Sequence, residues 1–109
     1  MSNFLGDIQE TMREQCDSEP IESVVVAKFD SYYEENFKSI PDKFTGKPVC
    51  FGDVRHYFDY EYDDGFGGAE SHAIYLYTKN FIVFVSEYDG STSVSCIPRN
   101  PIECTPRYL

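Results

Sequence analysis

Residues 72–97 leave this chain little choice of topology. Three β-rich runs follow one another there, 72–78, 81–88 and 91–97, separated by Lys79-Asn80 and Asp89-Gly90. Asp-Gly between two such runs marks a two-residue hairpin, because both central residues of a type I′ turn need φ > 0. Asn80 tolerates the same region. A three-stranded antiparallel meander is the expected unit, and its register follows from the turns. Closure at 89–90 sets Tyr88 opposite Ser91, Val85 opposite Val94 and Val83 opposite Cys96. Closure at 79–80 sets Leu76 opposite Val83, Ile74 opposite Val85 and His72 opposite Glu87. One face then carries Ile74, Leu76, Val83, Val85, Val94 and Cys96 and should be core. The other carries Tyr75, Tyr77, Ile82 and Phe84 beside Ser93 and Ser95. It is too aromatic to stay fully wet, so another segment or a partner should cover it.

Around the meander the pattern predicts helices. Phe4, Leu5, Ile8, Met12 and Cys16 form one stripe of a helix over 3–16, with Ser2 or Asn3 as its cap and Ser18-Glu19-Pro20 as its stop. Ile21 to Phe29 reads as a strand, and Val24-Val25-Val26 is apolar on both faces, as in a sheet interior. Ser31 and Glu34 are spaced as a capping box for a short helix carrying Tyr33, Phe37 and Ile40, ended by Pro41. Residues 42–48 read as loop. Residues 49–62 satisfy two periods. Phe51, Val54 and Phe58 fit a helix, whereas Val54, His56, Phe58, Tyr60 and Tyr62 alternate as in a strand. A helix over 51–59 followed by an extended piece reconciles them. Residues 63–68 should be loop, and Pro98, Pro101 and Pro106 make 98–109 an extended tail. The expected fold class is α+β: one domain of 109 residues, an antiparallel sheet centred on 72–97, and helices packed on it.

Charge narrows the partners. Nineteen Asp and Glu against nine Lys and Arg give a net charge of −10. Direct binding to nucleic acid or to an anionic membrane is disfavoured, since both depend on Lys and Arg meeting phosphates. A basic protein surface is favoured through electrostatic steering, and the rival reading is that the acidity serves solubility alone. The N-terminus has no basic region followed by an apolar one, so no signal peptide is expected. Cys16, Cys50, Cys96 and Cys104 show no metal-type spacing and are expected to be reduced thiols in a cytoplasmic protein.

Candidate chemistry concentrates before the meander. Asp59, Glu61, Asp63 and Glu70 stand at positions 1, 3, 5 and 12 of a loop, where a calcium loop places ligands. That loop needs glycine at its sixth position, which is Asp64 here, and a helix after it, where this chain has a strand. Gly65, Gly67 and Gly68 lack the lysine and the helix of a phosphate cradle. His72 opposite Glu87, and His56 beside Asp53 and Asp59, read as surface contacts before they read as acid–base pairs. No spacing suggests a nucleophile with its base. The expectation is a non-enzymatic protein with no cofactor and no metal. What remains is acid interleaved with aromatics. Asp59, Tyr60, Glu61, Tyr62, Asp63, Asp64, Phe66 and Glu70 form the expected partner-binding segment, with carboxylates imitating phosphates and the tyrosines as anchors.

The stretch Asp59-Tyr-Glu-Tyr-Asp-Asp-Gly-Phe-Gly-Gly-Ala-Glu-Ser-His72, with Tyr88-Asp89-Gly90 and Pro98-Arg99-Asn100-Pro101, resembles a small domain of uncharacterised bacteriophage proteins. The resemblance covers about half the chain and carries no catalytic residue. It implies a phage accessory protein in the bacterial host cytoplasm. At the level of class, small acidic phage proteins resemble inhibitors of host defence, anti-CRISPR and anti-restriction proteins among them. The functional expectation is an inhibitor that binds a host nucleic-acid-handling complex. The alternative is a small virion structural or assembly protein, and a calcium module or small enzyme comes third.

Overall fold

The computed structural model describes residues 2–28, 40–62, 71–88 and 91–106. The fold is α+β, with two antiparallel sheets. In chain order the elements are β1 (Ser2–Asn3), α1 (Phe4–Gln15), β2 (Ile21–Val26), a 3-10 turn (Asp42–Phe44), α2 (Phe51–Val54), a second 3-10 turn (Arg55–Phe58), β3 (Glu61–Tyr62), β4 (Ile74–Thr78), β5 (Phe81–Tyr88) and β6 (Ser91–Pro98). The large sheet runs β2-β4-β5-β6, and β1 pairs with β3 in the small one.

The meander has the register set by its turns. Leu76 pairs with Val83, Val83 with Cys96, Val85 with Val94 and Tyr88 with Ser91. Ile74, Leu76, Val83 and Cys96 are buried as expected, whereas Val85 and Val94 are only half-buried. Val85 borders an open groove that Val26 and Ile74 also line, so its side chain keeps some water. Val83→Asp should therefore abolish the cooperative unfolding transition, because it buries an unpaired carboxylate. Val85→Asp should leave a folded but weakened protein. Urea denaturation of the two variants checks the order.

Helix α1 is capped by Asn3, whose Oδ1 accepts the Gly6 N–H at 2.8 Å. It ends where Asp17 and Ser18 turn left-handed, at φ 52° and 53°, and the Ser18 N–H returns to the Met12 carbonyl at 3.0 Å. Its apolar stripe lies in the core with Val24, Val26, Val54, Phe58 and the meander. The expected helix over 51–59 is a short α-turn continued by a 3-10 turn, followed by the extended piece.

Strand β2 corrects one expectation. It lies at an edge of the sheet rather than inside it. Its outward backbone groups are nevertheless covered. Val24 and Val49 exchange hydrogen bonds of 3.0 and 2.9 Å, and the Gly46 N–H donates to the Val26 carbonyl at 2.8 Å. A covered edge accounts for the interior-like valine run. The expected helix at 31–40, apart from buried Ile40, the loop at 63–68 and the turn residues Asp89 and Gly90 lie outside the described residues.

Glu19 ties the helix exit to the β4–β5 turn. Its Oε1 accepts the Thr78 hydroxyl at 2.7 Å and the Asn80 N–H at 3.1 Å, and its Oε2 accepts the Asn80 side-chain amide at 2.5 Å. The Thr78 bond first, then those from Asn80, hold its carboxyl below the ordinary range. A depressed carboxyl adds stability above its unfolded pKa and loses it as pH falls through its folded value. Glu19→Gln should lower the melting temperature at neutral pH, and the gap to wild type should close in acid. Thermal denaturation across pH checks this. No disulfide links the four cysteines. Burial, then the neighbouring Cys96, pushes the Cys16 thiol up to about 12.

Candidate interaction surface

The short β1–β3 ladder, Ser2 with Tyr62 and Asn3 with Glu61, holds Glu61–Tyr62 extended beside the start of α1, with Asp59 and Tyr60 leading into it. The Phe4 N–H also donates to the Tyr60 carbonyl at 2.9 Å. An extended segment sends alternate side chains to opposite sides. Asp59 and Glu61 face water, and Tyr60 and Tyr62 face the core at 7% and 2% exposure. The two tyrosines are thus not partner anchors. Their rings pack on Phe4 at centroid distances of 5.5 and 5.6 Å, with Phe58 at 5.6 Å on another side. The alternation of Phe58, Tyr60 and Tyr62 in the sequence is the signal for this inward packing.

His72 also departs from its expected place. It is 1% exposed and makes no surface pair with Glu87. Tyr60 Oη lies 2.8 Å from His72 Nδ1 and accepts the His72 backbone N–H at 2.9 Å. Burial lowers the imidazole pKa from 6.5 to about 4 and raises that of the Tyr60 phenol. Acid–base work needs a group that substrate can reach. The Tyr60 hydroxyl and His72 Nδ1 are enclosed and hydrogen-bonded to each other, so the pair braces the fold.

Half-buried Asp7 and exposed Glu10 and Glu14 stand together on another element. Asp7, Glu10 and Glu14 recur along one face of α1, at i, i+3 and i+7. Tyr62 Oη donates to Asp7 Oδ2 at 2.6 Å, which sets this face beside the 59–62 segment. Asn3 Nδ2 donates to Asp59 Oδ1 at 3.0 Å from the same corner. The ion pairs among the described residues are Lys28 with Asp42 and Arg99 with Glu22; Asp7, Glu10 and Glu14 make none, although Arg13 stands three residues from Glu10 on the same helix. Composition alone does not single out this helix face, because the acids of α1 also fit the polar side of an ordinary surface helix. Asp63, Asp64, Phe66 and Glu70, the rest of the expected binding segment, lie outside the described residues. Among the described residues no three potential ligands converge on a metal position.

The outer face of the large sheet is the second open surface. Tyr75 is 59% exposed, Ile97 is exposed as well, and Tyr77, Ile82 and Phe84 are half-buried. Arg99 lies across one end, its guanidinium 5.5 Å from the Tyr77 ring centre and 2.6 Å from Glu22. No described helix is long and apolar enough to cross a membrane. Comparison with known protein families, curated proteins and solved structures finds no match to this chain, so the reading of its function rests on these two surfaces.

Proposed function

We propose that this chain is a non-enzymatic acidic accessory protein of bacteriophage type. It acts in the host cytoplasm by occupying a basic surface of a nucleic-acid-handling defence complex, as an anti-CRISPR or anti-restriction protein would. The observation that carries the reading is the face of α1 bearing Asp7, Glu10 and Glu14, which make no ion pair among the described residues although Arg13 stands on the same helix, continued by exposed Asp59 and Glu61. Interspersed charge of both signs is what solubility favours, whereas a single-sign patch steers an opposite partner and repels nucleic acid. Tyr60 and Tyr62 are buried and offer a partner no anchor, and Asp59 and Glu61 lie at the border of the patch.

The open aromatic sheet face favours a second reading, a small virion structural or assembly protein packed against its neighbours by apolar contact. One experiment separates the two. Affinity capture from phage-infected bacterial lysate, read by mass spectrometry at two salt concentrations, should recover a nuclease or defence complex at low salt and lose it at high salt. Salt-resistant recovery of capsid or tail proteins overturns the first reading in favour of the second.

A further inference from the structure

Strand β6 ends the large sheet, and among the described residues no strand or loop pairs with its outer edge, whereas that of β2 is covered. Tyr88 and Ser91 flank a two-residue connection, and such a flanking pair exchanges both of its hydrogen bonds. Alternation then directs Ser93, Ser95 and Ile97 to β5 and turns the backbone groups of Thr92 and Val94 outward. The Val94 carbonyl accepts a long bond of 3.4 Å from Thr11 Oγ1. Among the described residues, the Val94 N–H and both backbone groups of Thr92 have no partner.

A groove of about 250 Å³ runs along this edge, with Thr92 and Val94 on one wall and Asp7, Glu10, Thr11 and Glu14 of α1 on the other. Thr92 is 4% exposed and lines the groove, and its enclosed Oγ1 has no hydrogen-bond partner among the described residues. Enclosed hydroxyls are ordinarily satisfied, so this one marks a position for an incoming polar group. An unpaired sheet edge is a template for one more strand.

We infer that this groove takes an extended basic peptide segment by strand addition, an inference that rests on the proposed function and gives it a site. The segment pairs its backbone with Thr92 and Val94. Its lysine or arginine side chains reach Asp7, Glu10 and Glu14, and one of its polar groups reaches Thr92 Oγ1. The spacing is compatible. From Asp7 to Glu14 a helix rises roughly 10 Å, and alternate residues of a strand lie about 7 Å apart, so two or three cations on one side of the segment meet the acids. A second copy of this chain does not fit, because β6 reads Ser-Thr-Ser-Val-Ser-Cys-Ile-Pro without a cation and would bring its own acidic helix alongside.

The test is a nuclear magnetic resonance titration of the full chain with three probes: an alternating lysine–valine peptide, the same peptide N-methylated at alternate residues, and a glutamate–valine peptide. The lysine peptide should shift the Thr92 and Val94 amides and slow their hydrogen exchange. N-methylation should weaken binding about tenfold, by removing the donors along one edge. Glu10→Gln with Glu14→Gln, both solvent-facing, should weaken it about threefold to tenfold at low salt. The glutamate peptide should not bind. Equal binding of the N-methylated peptide, or shifts confined to Asp59, Glu61 or the outer sheet face, overturns strand addition while leaving the chain a binder of basic partners. Thr92 and Val94 shifts that appear on concentrating the free protein reveal self-pairing and overturn the basic occupant. No binding by any basic peptide, with no salt-sensitive partner in the lysate capture, overturns both readings.

Discussion

Phe4→Ala should destabilise the protein by about 3–5 kcal/mol, the range for deleting a fully buried aromatic ring. Phe4 is fully buried and is the ring on which Phe58, Tyr60 and Tyr62 converge. Its backbone N–H also anchors the Tyr60 carbonyl. Removing the ring leaves those three side chains facing a void that a short ladder cannot close. A domain of this size has roughly 5–15 kcal/mol to lose, so the variant should be near its unfolding threshold at room temperature. Denaturant titration gives the magnitude. Phe4→Leu, which keeps most of the volume, should recover more than half of the loss.

The second large effect is acid destabilisation through His72. Its folded pKa of about 4 lies below the ordinary value of 6.5 because burial disfavours the imidazolium. The unfolded chain therefore takes up a proton before the folded one does. Stability is full above pH 6.5 and falls as pH drops from there to about 4, by about 3 kcal/mol for a shift of that size. Denaturation midpoints measured between pH 7 and pH 4 should show this slope in the wild type. His72→Asn should be less stable at pH 7 and flatter across the same window. Tyr60→Phe strands the His72 backbone N–H without its acceptor and should cost about 1–3 kcal/mol at neutral pH.

The sequence carried the meander because two-residue turns permit one register, and side-chain pairing follows from it. It carried α1 because Phe4, Ile8 and Met12 share one stripe with a capping Asn3. It did not carry the edge position of β2. Val24 and Val26 look alike whether a strand or the Gly46–Val49 segment covers their outer side. Tyr60, Tyr62 and His72 were misplaced for a related reason. Tyrosine and histidine each present an apolar body with a polar tip, and composition cannot say whether water or another buried group satisfies the tip. Here Asp7 accepts the hydroxyl of one tyrosine, and the hydroxyl of the other meets His72 Nδ1. The acids of α1 were legible as a polar helix face. That they border an open strand edge is a fact of the tertiary fold, set by where β6 falls in the sheet.

The central claim is that the carboxylates along one face of α1, those of Glu10 and Glu14 above all, recruit a basic partner. Association kinetics measure it most directly, using surface plasmon resonance against the partner recovered from lysate at low and high salt. Glu10→Gln with Glu14→Gln should slow association several-fold at low salt and converge with wild type at high salt, with dissociation changed less. Asp59→Asn with Glu61→Gln, at the border of the patch, should have a smaller effect in the same direction. Association by the Glu10→Gln, Glu14→Gln protein that equals wild type at both salt concentrations would contradict the account.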